Sequence, residues 1–588
     1  MQTLNKTFQT SLLYGFATLA GCLTLFTLYL CFAIEWRGPF RDLWEFVGLI
    51  QEQLNGHWDL DALIEPYGGI HRIMVPRLLF YLDYRFAAGS NLLALSVTVL
   101  LHVTTSYLLI RSVLKFSMFS INDRIWIISI ILLYFFSTTQ IYNLIYISDN
   151  QVVIGNSLSV FSAAIFCFYL QKEKSCYLYL SNIIMIIACL SHSSSLMIWP
   201  ATIVIMILLK KPGKEIIIQL AAIVIVLGLY VSGHDPLDTS GVVVPLWKKL
   251  IVALYNVVAH VDGILRYIGL HLSSPTSRHY PVSGIMVSYV SIAYLLSIIY
   301  RIYKKRWQPK NGELFWITLA LYGFFIAVIT AYGRQIYPNS ALTDRYQTLV
   351  MTYWAALMIL IYVDIKRSNP SLVLITPVMS LILLLPYQYK NAEEMAWLST
   401  RVTTAHTAAI TGITDIDTIA ATLSHPLLMD KKNLVEVYND YFRKNKLSYF
   451  SDDIAYYFLD ENVGKPFPET INLSENCNGS LLFVEKISSA SSNKDAGAQS
   501  YKIIGQGYTD NNAATENVLV MDGQRKIIGL ARNFRPKGEF FPLALRDSQT
   551  QQWIGFIHTQ GELIYPITFL AKGKNGYCSL FSKTTLEM

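Results

Sequence analysis

Apolar residues fall in long runs over the first two thirds of the chain. The runs predict helices near 12–34, 91–110, 125–142, 152–170, 177–190, 195–209, 215–232, 284–300, 312–332, 346–364 and 371–386. The polar connections between them alternate in kind. One set is basic: Arg111, Lys115 and Arg124; Lys172 and Lys174; Lys210, Lys211 and Lys214; Arg301, Lys304, Lys305, Arg306 and Lys310; Lys366 and Arg367. The opposite short connections, "NLIYISDNQ" and "SHSSS", carry no Lys or Arg. Basic loops stay in the cytoplasm. The pattern therefore predicts about 11 transmembrane helices, with the N-terminus inside and the chain beyond the last span outside. Around Ser191–Ser195 it predicts two short spans; one longer helix plus an interfacial piece is the alternative. The first apolar run is long and lacks a small-residue cleavage site, so it reads as a retained helix.

Three parts break this pattern: 35–90, 233–283 and 387–588. In the first, "DLWEFVGLIQEQLNG" puts its apolar residues on one helical side and predicts an amphipathic helix on the membrane surface, ended by Asn55 and Gly56. "IHRIMVPRLLFYLDYRF" predicts a second helix re-entering the bilayer surface, with Pro76 near its start. The second part holds another helical stretch, "PLWKKLIVALYNVVAHVDGILRYIG". The third predicts helix over 393–445 and, after 475, short strands rich in β-branched and aromatic residues, a sandwich or small barrel. "MDGQRKIIG" and "HTQGELIYP" read as hairpins.

Composition agrees with a membrane protein. The 588 residues are 53% hydrophobic and 15% charged, with mean hydropathy +0.38, against about 25% charged for soluble domains. The net charge of +7 sits in the alternating loops, which argues against nucleic acid. Five of the seven cysteines lie in or beside apolar runs and read as small hydrophobes. Cys477 and Cys578 lie in the C-terminal region, where an outside location predicts a disulfide.

Candidate chemistry gathers at the outer ends of the spans. Asp42, just past the first span, is placed to act as a general base, with Arg41 beside it favouring the charged form; a helix N-cap is the alternative. Glu45 follows three residues on. "GGIHRIMVPR" brings His71, Arg72 and Arg77 near the membrane surface, where arginine forks suit phosphate or simply snorkel. "YGRQIYPNSALTDRYQT" adds Arg334, Asp344, Arg345 and Tyr346. His192 either lines a cavity or caps a turn, and His271, Arg278 and His279 are further candidates in the outer loop. No cofactor is expected: no Cys/His cluster has zinc spacing, and Asp59, Asp61 and Glu65 read as solvated rather than as ligands of a divalent cation.

This layout resembles the GT-C class of integral-membrane glycosyltransferases: about eleven or more spans, an acidic residue in the first outer loop soon after the first helix, two amphipathic helices in that loop and often an outer C-terminal domain. More narrowly, "DLWEF", "IHRIMVPRLLFYLDY", "SHSSSLMIWP" and "LTDRYQT" resemble a group of bacterial membrane proteins, over roughly 10–365. The resemblance implies an inverting transferase in the bacterial inner membrane. It would move a sugar from a polyprenyl-phosphate donor to an envelope glycan such as lipopolysaccharide O-antigen, at the periplasmic face. Asp42 would be the base. Arg72, Arg77, Arg345 and Arg334 would bind the lipid phosphate, and Glu45, His71, His192, Asp344 and Tyr346 would line the substrate site. Many members pair two acidic residues; here Leu43 follows Asp42, so the second role is unassigned. The alternatives are a polymerase or ligase using lipid-linked oligosaccharide, a flippase or transporter, and a receptor whose work lies in 387–588.

Overall fold

A computed structural model describes residues 2–34, 37–39, 43–57, 60–65, 72–114, 119–146, 149–231, 260–273, 281–334, 343–413, 419, 432–459, 462, 465–468, 477–487, 498–509, 515–533, 552–573 and 576–586. The helices are α1 (Gln2–Ala33), α2 (Leu43–Leu54), α3 (Leu60–Ile64), α4 (Met74–Ala87), α5 (Leu92–Leu114), α6 (Ile121–Phe135), α7 (Ile141–Ile145), α8 (Asn150–Lys172), α9 (Ser175–Cys189), α10 (Ile198–Leu208), α11 (Gly213–Val231), α12 (Val261–Leu272), α13 (Pro281–Tyr303), α14 (Asn311–Arg334), α15 (Gln347–Ser368), α16 (Ile375–Ile410) and α17 (Lys432–Asn445). Contacts group the chain into two units. The first takes 1–33, 59–79 and 95–392; the second takes 34–58, 80–94 and 393–588.

Among the described residues, eight helices are long and apolar enough to cross a membrane: those beginning at Gln9, Leu92, Ile121, Asn150, Gly213, Val282, Gly312 and Gln347. The eleven expected positions are largely helical, but the run at 125–142 breaks after Phe135 into a 3-10 turn (Thr138–Gln140) and α7. The helices α9 and α10 are short, and α16 runs on past its apolar half through Pro386. Residues 177–209 do form two helices, parted by the turn at Leu190–His192 and a 3-10 turn over Ser193–Met197.

The helical unit has two unlike ends. At one, the basic connections meet acids. Arg301 forks onto Asp364 at 2.9 Å through both terminal nitrogens, Lys366 reaches Asp123 at 3.0 Å, and Arg367 pairs with the buried Glu313. Lys211 pairs with Glu173 at 2.7 Å. Ser120 and Asp123 form a reciprocal capping box that starts α6 there, and Tyr362 donates to Asp123 at 2.7 Å. Mid-helix polar side chains bond one another: Ser162 with Ser181 (2.9 Å), Trp199 to Asn182 (2.7 Å) and Thr202 to Gln219 (2.7 Å). Such pairs hold helices together in a medium without water.

In the second unit α2 does not offer its apolar face to a membrane. Leu43, Trp44, Phe46, Val47 and Ile50 are buried, with Trp44 against Phe442 of α17 and Phe46 against Phe80 of α4. The expected stripe is present but packs on protein, not on a bilayer, because an amphipathic stripe fits a protein face as well as a lipid one. The end of α4 is likewise buried in this unit through Phe80, Asp83 and Tyr84 rather than laid on a bilayer. Asp83 caps α5, accepting from the amides of Asn91 (2.9 Å), Leu93 (2.9 Å) and Ala94 (3.2 Å). Burial pushes its pKa up, and those amides oppose the shift.

The strands are β1 (Asn478–Ile487), β2 (Gln499–Tyr508), β3 (Asn517–Met521), β4 (Ile527–Asn533), β5 (Gln552–Thr559), β6 (Ile567–Gly573) and β7 (Gly576–Lys583). They form one antiparallel sheet in the order β1-β2-β5-β4-β3-β6-β7. "MDGQRKIIG" is the β3–β4 hairpin, but "HTQGELIYP" is not a hairpin: it carries the chain from β5 across to β6, which pairs with β3. The sheet curves until its edges meet, with Gly479 of β1 packed against Leu580 of β7. Cys477 and Cys578 are disulfide-bonded there, Cα to Cα 6.1 Å.

His406 of α16 is buried, stacked on Tyr449 at 4.8 Å, with Nε2 3.1 Å from the Pro39 carbonyl. Burial pushes its pKa down to about 4. Between pH 6.5 and 4 the unfolded chain would thus bind a proton that the folded one refuses, so stability is full above this window and is lost as pH falls through it. The expected loss is about 3 kcal/mol. Hydrogen exchange of α16 and α17 at pH 7 and pH 4.5 measures it, and His406→Gln should remove that part of the slope.

Candidate functional site

The other end of the helical unit carries polar side chains that are buried rather than solvated. "NLIYISDNQ" supplies Tyr142, Asn143, Tyr146, Asp149, Asn150 and Gln151, all buried. "LTDRYQT" faces them. Asn143 Nδ2 donates to the Arg345 carbonyl at 3.2 Å and to Thr348 Oγ1 at 2.9 Å, and Thr348 donates to Gln140 at 2.8 Å. The short 3-10 turn Asp344–Tyr346 leads straight into α15 and so fixes Arg345 at the helix mouth.

Arg345 is half-buried, and its pKa is raised first by the carboxylate of Asp149 and then by the neighbouring tyrosines. Tyr346 is buried, its ring 4.9 Å from His271 of α12, and the Arg334 guanidinium lies over it at 5.8 Å. His271 is 1% exposed; its Nδ1 has no hydrogen-bond partner among the described residues, and burial drives its pKa down to about 3. It is a neutral imidazole in a cationic neighbourhood. The Trp354 indole donates to the Leu272 carbonyl at 2.6 Å and fixes α12 against α15.

His192 adjoins this region as a cap. It accepts from the Ser194 amide at 3.3 Å, with the Ser194 hydroxyl 2.5 Å from Nδ1. Gly155 is needed there: a Cβ would lie 2.9 Å from both the His192 Cβ and the Ser195 Oγ. Asn150 and Ser195 are fully buried; among the described residues the Asn150 side-chain amide has no hydrogen-bond partner, and Ser195 lies beside the Tyr322 hydroxyl.

Arg72 and Arg77 are buried and engaged with main chain. Arg77 Nη1 donates to the carbonyls of Ala62 (2.9 Å), Leu63 (3.1 Å) and Glu65 (2.7 Å), at the C-terminal end of α3. Arg72 donates to Ile64 O (2.6 Å) and Tyr230 O (3.4 Å). Cations belong at helix C-termini, and both are held by the end of α3. Glu45 is exposed in the first turn of α2. Asp42, Arg41, His71, Asp59, Arg278 and His279 lie outside the described residues, as does the side chain of Asp344. Among the described residues, no three His, Cys, Asp or Glu side chains group as a metal site.

The helical unit thus gathers Arg334, Arg345, Tyr346 and His271 with Asp149, which reading along the sequence passed over. Its signal was present: three polar residues, Asp149, Asn150 and Gln151, run into an apolar helix whose loop offers the acid no cation. A scan against protein-family models matches none, and a search of curated proteins finds no match.

Proposed function

We propose that this chain is an inverting glycosyltransferase of GT-C type, using a polyprenyl-phosphate sugar at the outer face of a bacterial inner membrane. The observation that carries the reading is Arg345. It is a guanidinium at the mouth of an apolar bundle, in the field of the Asp149 carboxylate, with Arg334 over the ring of the next residue, Tyr346, and opposite the basic end of the same bundle. An arginine so placed suits a lipid phosphate, whose headgroup arrives at that depth while its chain stays in the membrane. The positive-inside rule applied to the basic connections puts this end outside. The Cys477–Cys578 bond fits an oxidising compartment for the C-terminal domain. Eleven spans then cross the bilayer, the shorter α9 and α10 and the apolar half of α16 included.

In the reaction an acceptor hydroxyl attacks C1 of the donor sugar. The new C1–O bond forms as the bond from C1 to the phosphate oxygen breaks. The hydroxyl proton passes to a carboxylate, for which Asp42 is assigned by the resemblance, and the polyprenyl phosphate leaves with its charge held by Arg345 and Arg334. The acceptor is an envelope glycan such as O-antigen. A transport reading draws less support, since the mid-helix polar pairs bond each other rather than line a path.

Asp42→Asn should abolish transfer from a polyprenyl-phosphate sugar while expression is unchanged; full activity removes the base assignment. Mass spectrometry of surface glycans with and without the protein tests the whole reading, and identical glycans would sink it.

A further inference from the structure

The span that starts at Ile121 is broken. α6 ends at Phe135, the 3-10 turn Thr138–Gln140 follows, and α7 resumes at Ile141. A helix that stops inside an apolar bundle leaves main-chain groups without partners, and no water is at hand to take them. Here side chains take them. The carbonyls of Tyr134, Phe135 and Phe136 accept from Gln140 Nε2 (3.4 Å), His102 Nε2 of α5 (2.6 Å) and Thr27 Oγ1 of α1 (2.6 Å). The amide side of the break belongs to Gln388 of α16, two residues past Pro386. Its Oε1 accepts from the Thr138 amide at 2.8 Å, and its Nε2 donates to Ser137 Oγ at 2.8 Å and to the Leu384 carbonyl at 2.9 Å. Thr138 Oγ1 donates back to the Gln388 carbonyl at 2.6 Å. Turned about, the Gln388 side chain would set a donor against the Thr138 N–H and an oxygen against the Leu384 carbonyl, so its orientation is fixed.

From this turn a chain of hydrogen bonds runs to the outer mouth. The Gln140 amide donates to the Ser137 carbonyl at 2.9 Å, which closes the turn. Thr348 Oγ1 of α15 donates to Gln140 Oε1 at 2.8 Å and accepts from Asn143 Nδ2 of α7 at 2.9 Å. The same Nδ2 donates to the Arg345 carbonyl at 3.2 Å. Ser137, Thr138, Gln140, Asn143, Thr348 and Gln388 are all buried. Hydrogen bonds among buried groups are strong and directional, since breaking one leaves a group that water cannot reach.

We propose that Gln388 is a positioning residue for Arg345, acting through the broken turn and the side chains of Gln140, Thr348 and Asn143. Arg345 needs such a tie. It sits on the three-residue turn Asp344–Tyr346, where the Tyr346 amide reaches the Thr343 carbonyl at 3.3 Å. A turn that short does not fix a charge at one point by itself, and stabilising a leaving group calls for donors set in place beforehand. The kinetic consequence rests on Arg345 meeting the donor phosphate; the tie from Gln388 to the mouth stands without it.

The test uses the full chain in phosphatidylcholine nanodiscs. Hydrogen exchange over 136–139 and 343–350 reads the tie without turnover. Gln388→Met, close in size, removes both polar groups and should speed exchange about tenfold or more in both segments. Thr348→Val cuts the chain further along and should speed 343–350 by a similar factor while 136–139 stays protected. Gln308→Met, exposed between α13 and α14, should change neither. Faster exchange at 136–139 alone in Gln388→Met overturns the proposal and leaves Gln388 a cap of the break. If Gln388→Met does not fold, unchanged exchange over 343–350 in Thr348→Val overturns it as well. In transfer from a polyprenyl-phosphate sugar, Gln388→Met should lower kcat about tenfold with the donor KM within about twofold, and should add nothing to Arg345→Gln. Unchanged transfer, or a loss that multiplies in the Arg345→Gln background, overturns the positioning role. Coupled exchange with no transfer by the wild-type chain keeps the tie and fails the glycosyl-transfer reading alone.

Discussion

Arg345→Gln is expected to lower sugar transfer by at least 10²-fold, the range found when a single charge-stabilising donor is removed from an active site. The substitution keeps hydrogen-bonding capacity but removes the charge that a leaving phosphate needs. It also takes from Asp149, 2% exposed, the cation its carboxylate acts on. Removing that positive charge leaves the buried carboxylate less well stabilised, so part of the effect would fall on stability. Loss of activity alone would therefore not separate chemistry from folding. The cycle with Asp149→Asn does. On stability, each single variant should be worse than the double, because Arg345→Gln with Asp149→Asn removes both of the interacting charges. On activity, the double should stay as low as Arg345→Gln. Transfer recovering along with stability would make the pair a structural tie and would remove Arg345 from the phosphate. Arg345→Lys should sit between, keeping charge without the planar fork.

The membrane layer was legible because length and hydropathy alone govern it. Every expected apolar run is largely helical, and α5, α6 and α8 begin within four residues of their expected starts. What sequence could not supply was partnership. The stripe on α2 has the period of a lipid-facing helix, yet Trp44 meets Phe442, nearly four hundred residues along the chain. "HTQGELIYP" has hairpin chemistry, but β5 was already taken on both sides by β2 and β4. The strand β7, "GYCSLFSK", escaped notice because Gly, Cys and Ser dilute its alternation. For the site, the cations stand out in apolar sequence, whereas the meaning of Asp149 depends on the distant Arg345. Arg72 and Arg77 look alike for phosphate and for carbonyl until the end of α3 is seen beneath them.

Removing the disulfide with Cys477→Ala and Cys578→Ala should destabilise the C-terminal sheet by about 2–5 kcal/mol. The two residues are 101 apart, so the bond closes a long loop, and long loops lose the most entropy when cross-linked in the unfolded chain. Position matters as much as length. β1 and β7 are the edges of the sheet, each with a single strand neighbour, and the bond ties one edge to the other where Gly479 meets Leu580. Without it nothing covalent keeps the curved sheet closed, and both edge strands are left with unpaired backbone groups. Cys578 also lies in the sheet core, so alanine is the proper substitution; serine would bury a hydroxyl there. The chain has two units and will not unfold in one step, so the measurement must be local. Hydrogen exchange of the full-length protein should show protection lost first in β1 and β7 and last in β4 and β5, while α6, α8 and α15 exchange as before. Uniform loss across both units, or no loss in β1 and β7, would mean that the strand ladders alone hold the sheet closed.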